Sequence, residues 1–126
     1  MLPRGLTVVA LAALLLGASP VTAARSPRTR EAPSIRAAAE VFGRIYYRPS
    51  NPARINVTRI RVSTRDSRFA AAHLTTSKRL IDQPIDLLLW RGISSWAVIS
   101  WGTEFLGCGL VTAAVRKDLF GTRQCF

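Results

Sequence analysis

Arg54, Arg59, Arg61, Arg65 and Arg68 fall within a span of fifteen residues, the densest chemical signal in the chain. A guanidinium is a planar fork of donors that grips phosphate or carboxylate through two parallel hydrogen bonds. The cluster is therefore a candidate anion-binding surface. Arg91, just before Gly92-Ile93-Ser94-Ser95, is a candidate contact to a protein partner, as a small secreted protease inhibitor would present. His73 is the single histidine and the side chain whose ordinary pKa lies nearest neutrality, so general-base chemistry would fall to it. No nucleophile motif accompanies it, and its neighbours Ala70, Ala71, Ala72 and Leu74 read as a strand or loop surface. Asp82 and Asp86 have the residue types of a glycosidase acid/base pair, but a domain this small has little wall for a cleft. Turn capping by Asp82 and a solvated strand position for Asp86 are expected instead. One His and two Cys leave almost no material for a metal centre. No metal or cofactor is expected, and the chain is read as non-enzymatic.

Trp90, Trp96 and Trp101 straddle one hairpin. A shared exposed face would make them a stacking platform for sugar rings or bases, but a small domain needs its tryptophans inside, and they are assigned to the core. Asn56-Val57-Thr58 matches an N-glycosylation acceptor, which matters only in a eukaryotic secretory pathway.

The elements that must position these residues follow from periodicity. Ser34 after Pro33 can cap a helix whose apolar positions Ile35, Ala38, Ala39 and Phe42 are helically spaced, with Gly43 placed to end it. Tyr46 to Pro52 has turn chemistry. From Ile55 the period becomes two, Ile60 and Val62 alternating with Arg59 and Arg61, which predicts a strand whose arginines point outward in a row. Ser63 to Asp66 reads as a turn and Arg68 to Thr75 as a second strand. Ile85 to Trp90 and Trp96 to Trp101 form a hairpin across Arg91–Ser95. Leu110 to Phe120 carries Val111, Ala114, Val115 and Leu119 on one helical stripe, and Gly121 supplies the stop. Residues 93–115 are long enough for a membrane span, but Glu104 and the glycines at 102, 107 and 109 argue for a buried strand, a loop and a helix start.

Residues 1–24 read as a signal peptide: Arg4, then an apolar run from Leu6 to Leu16 interrupted only by Thr7, then Val21-Thr22-Ala23 as a small-residue cleavage site. The run is too short to span a bilayer. Removal takes away a single charge from the +11 of the whole chain, so the basic balance belongs to the exported part. Arg25 to Pro33 has three arginines, two prolines and no large apolar residue and is expected as a flexible basic tail, leaving residues 34–126 as a single small domain. Cys108 and Cys125 flank the last helix, and in an oxidising compartment a disulfide between them is the natural pairing. A redox-active thiol is the weaker reading, because no Cys-x-x-Cys spacing is present. Sixteen of the 18 basic residues are arginine, which with the abundant alanine hints at a GC-rich, bacterial coding genome.

Ile60-Arg61-Val62-Ser63-Thr64-Arg65-Asp66-Ser67-Arg68-Phe69-Ala70, Trp96 to Thr103, and Val111 to Leu119 between the cysteines resemble a loose group of small secreted actinobacterial proteins of uncharacterised function. The likeness covers about Ile55 to Cys125. Where that group often has Pro at the start of the last helix, this chain has Thr112. The resemblance implies an exported single domain and carries no active site.

The expected fold is α+β: an antiparallel sheet of about four strands, an N-terminal helix and a C-terminal helix bracketed by the disulfide. The expected function is a secreted or envelope-associated binding module that contacts anionic envelope or extracellular polymers through the arginine face. The alternative is a small secreted protease inhibitor or other protein-binding domain. Nucleic acid is set aside as a partner because export removes it and no recognition motif is present.

Overall fold

The computed structural model describes residues 24–47, 54–77, 83–104, 106–121 and Cys125. The expected signal peptide and cleavage site, apart from Ala24, and Asp82 lie outside the described residues. The elements are α1 (Glu31–Tyr47), β1 (Ile55–Val62), β2 (Phe69–Thr76), β3 (Ile85–Arg91), β4 (Trp96–Gly102) and α2 (Ala113–Phe120). The strands form one antiparallel sheet in the order β1-β2-β3-β4, a meander in which each strand pairs with its chain neighbour.

Helices cover both faces of the sheet. On one face Ile35 and Ala39 of α1 pack with Val57, Val62, Ala70, Ala72, Leu74, Leu87, Leu89 and Trp96. On the other Val115 and Leu119 of α2 pack with Ala71, Leu88 and Leu106. Leu87, Leu88 and Leu89 are all fully buried, which explains why β3 reads as a continuous apolar run rather than an alternation. The fold is α+β, with the expected four antiparallel strands, terminal helices and Cys108–Cys125 disulfide.

α1 departs from its sequence reading at both ends. It begins at Glu31, three residues before the expected Ser34 cap, because Glu31 organises the turn itself. Its Oε1 accepts the Arg28 amide at 2.9 Å, the reciprocal half of a capping box. Arg25 donates Nη1 to Oε1 at 2.8 Å and Nη2 to Oε2 at 3.1 Å. Pro33 lies in the first turn, where a missing amide costs little. The segment expected as a flexible tail is thus tied down: the Arg25 amide and carbonyl pair with Val62 at 2.9 and 2.8 Å, and residues 31–33 are helical.

Gly43 does not end the helix, which runs on to Tyr47. Gly43 lies against the sheet, and a Cβ there would sit 3.0 Å from Ile55 Cγ2 and 3.1 Å from Leu74 Cδ2. Gly43→Val is therefore expected to destabilise the protein by about 1–3 kcal/mol through overpacking, read as a lower urea midpoint at unchanged m-value. An unchanged midpoint would mean that helix and sheet can separate without loss.

α2 is shorter than expected, starting at Ala113 rather than Leu110. Thr112 is the N-cap, its side chain accepting the Val115 amide at 3.3 Å. Gly121, at φ 82°, closes the helix by donating its N–H to the Lys117 carbonyl. Among the described residues no helix is long and apolar enough to cross a membrane.

Candidate functional site

The β1–β2 turn is built around Ser63, which is fully buried. Its Oγ donates to Asp118 Oδ2 of α2 at 2.8 Å and accepts the amides of Arg65 and Asp66 at 3.0 and 3.2 Å. The Thr64 amide donates to the same Asp118 oxygen at 2.8 Å. One carboxylate on the far helix therefore fixes the turn that carries Arg65. Asp66 in turn grips Arg68, accepting Nε at 3.0 Å and Nη2 at 2.7 Å. The Arg68 hydrogen bond, aided by its amide and by the charges of Arg68 and Arg91, holds the Asp66 carboxyl below the usual range.

The five candidate arginines do not form a single row. A one-residue bulge interrupts β1 between Thr58 and Arg61, and Arg59 takes a left-handed backbone at φ 52°, uncommon for a residue with a side chain. Ile60 turns to the α1 core while Arg59 stays exposed. Arg61 pairs with Ala71 on the α2 face, half-buried, with its Nε enclosed and lacking a hydrogen-bond partner. Arg54 lies at the opposite end of β1, exposed, with its carbonyl accepting the Ser77 amide. Arg65 is exposed on the fixed turn, and Arg68 is the one of the five tied to a carboxylate among the described residues. Arg91 is at the end of β3, not at a loop tip. Its amide donates to the Arg68 carbonyl at 2.7 Å, so both lie at the same end of the sheet.

His73 and Asp86, unconnected in the sequence reading, are cross-strand neighbours on β2 and β3. His73 Nδ1 is 2.9 Å from Asp86 Oδ1. The carboxylate orients the ring as in the base–orienter half of a triad, but no hydroxyl or thiol is hydrogen-bonded to the imidazole among the described residues. Among those residues no group of three or more His, Cys, Asp or Glu is placed to hold a metal ion.

The tryptophans split, against the expectation of three core residues. Trp96 is 8% exposed and packs in the α1 core, whereas Trp90 and Trp101 are 40% and 50% exposed. Register decides this. Trp101 lies on the α1 face but beyond the helix's central contact, meeting Phe42 at 5.0 Å between ring centroids. Trp90 pairs with Phe69 at the end of the sheet on the other face. The two exposed rings are thus on opposite faces and make no shared platform.

Asp118 is the residue that sequence reasoning missed. Its partners are 54 and 55 positions away, and no local pattern announces such a contact.

No family model, curated protein or solved structure matches the chain.

Proposed function

We propose that this is an exported, non-enzymatic binding module whose arginines on β1 and the β1–β2 turn contact anionic envelope or extracellular polymers. The observation that carries the reading is the Ser63–Asp118 node. It holds Arg65 on a preorganised turn, close in sequence to Arg59 and Arg61, and none of these three has a carboxylate partner among the described residues. A cation already positioned loses little entropy on meeting its anion, and the strong positive excess that remains after leader removal raises the encounter rate with polyanions.

The test is co-sedimentation with an envelope fraction at low salt and at about ten times that ionic strength, where the Debye length falls about threefold. Arg59→Glu with Arg65→Glu is expected to cut binding at least tenfold and flatten its salt dependence. Arg44→Glu with Lys117→Glu makes the same charge change on the two helices and is expected to cost far less. Equal losses in both double variants would leave only a diffuse charge effect and overturn the assignment.

A further inference from the structure

The two edges of the sheet are treated in opposite ways. β1 carries a bulge and arginines, its Val62 end pairs with Arg25, and its Val57 carbonyl accepts the Arg36 guanidinium at 2.8 Å. Charge, bulging and cover are the usual protections of an edge strand. β4 has a bulge at Ile99, where Leu88 and Leu89 oppose Ser100 and Val98, but it contains no charged residue and no proline. No described residue pairs with its outer side.

Beside this bare edge is an open groove of about 570 Å3 between α1 and the start of β4. Ala37, Val41 and Ile45 form its helix wall, and Trp96, Ala97 and Val98 its strand wall. Val41 and Ile45 are 53% and 69% exposed, a large apolar presentation for helix residues outside both cores. No described residue lining it is charged.

We infer that this groove is a docking site for an uncharged, extended peptide segment of another protein, which adds as a fifth strand to β4 and drops alternate apolar side chains against α1. Two observations select this occupant. A strand edge offers a repeating row of backbone donors and acceptors, which an extended main chain satisfies and an acyl chain or helix does not. Charge decides between a foreign peptide and a second copy: two strongly basic chains repel when brought edge to edge, whereas a neutral segment meets an uncharged wall at no such cost. The site is distinct from the arginine surface, so either assignment can fail alone.

The experiment is to pan a phage library of random linear heptapeptides on the oxidised protein and follow a synthetic copy of the enriched peptide by tryptophan emission. The expected result is enrichment of peptides with apolar residues at alternate positions. Saturable binding should persist at high salt. N-methylation should weaken binding at least tenfold at every second amide and little at those between. Val41→Lys and, independently, Ile45→Lys, both on the exposed helix wall, should each weaken binding at least tenfold without moving the thermal midpoint. No enrichment, uniform tolerance of N-methylation, or loss of binding at high salt would overturn the proposal. A dimer in sedimentation equilibrium that Val41→Lys dissociates would assign the groove to a second copy and overturn it as well.

Discussion

Serine at both Cys108 and Cys125 is expected to lower the unfolding free energy by about 3 kcal/mol. The bridge joins positions 17 residues apart, and cutting it restores to the unfolded chain the freedom that the closed loop denied it. The folded side of the balance points the same way. α2 has eight residues and buries only Val115 and Leu119, and a helix of that length does not persist without outside support. Asp118 rides on this helix, so the Ser63 turn loses its anchoring carboxylate whenever α2 lifts. The measurement is urea unfolding of the double serine variant beside the oxidised protein. A difference below about 0.5 kcal/mol, the ordinary effect of a surface substitution, would mean that Leu106, Val115 and Leu119 hold the layer without the bridge.

The second large effect is a pH dependence centred on Glu31. Hydrogen bonding to Arg25 lowers its pKa from 4.5 to about 2, against a smaller opposing desolvation, with the Arg28 amide and the charges of Arg25 and Arg28 adding to the fall. The folded state therefore holds the ionised form more tightly than the unfolded chain does. The stabilisation is fully present above about pH 4.5 and is lost as the pH falls from there towards 2. A shift of that size corresponds to about 3 kcal/mol. Because the Arg25 side chain is 27% exposed, solvent screening reduces the measurable part to about 2 kcal/mol. Glu31→Gln is thus expected to be less stable than the parent by about that amount at pH 7, with the two converging near pH 2. A gap that stayed constant with pH would assign the loss to the cap geometry rather than to the charge.

The elements that could be read from sequence are those whose signal is local. The period of two from Ile55, the turn residues between strands, and two cysteines around a helical stripe each depend on neighbours in the chain, and each appears in the fold. What could not be read depends on contacts across the fold. Gly43 looks like a helix stop, yet it is a contact point, because only the position of Ile55 and Leu74 reveals why a side chain is excluded. The outward row of Arg59 and Arg61 follows from strict alternation, and one bulged residue breaks it. Arg25 reads as tail because its partners, Glu31 and Val62, become partners only once the chain has turned back on itself. The Ser63–Asp118 node has no signature in any window of the sequence, and neither does the pairing of His73 with Asp86.

The meander also bears on how the chain reaches this state. Every ladder joins consecutive strands, so no strand has to wait for a distant segment before it pairs. Residues 63–68 and 92–95 connect their strands directly, and the entropy lost in closing such short loops is small. Pairing of near neighbours keeps contact order low for a β protein, and low contact order goes with fast folding. The sheet can grow outward from either hairpin, one strand at a time. One helix precedes the strands in the chain and the other follows them, and they pack on opposite faces, so neither blocks the other's approach.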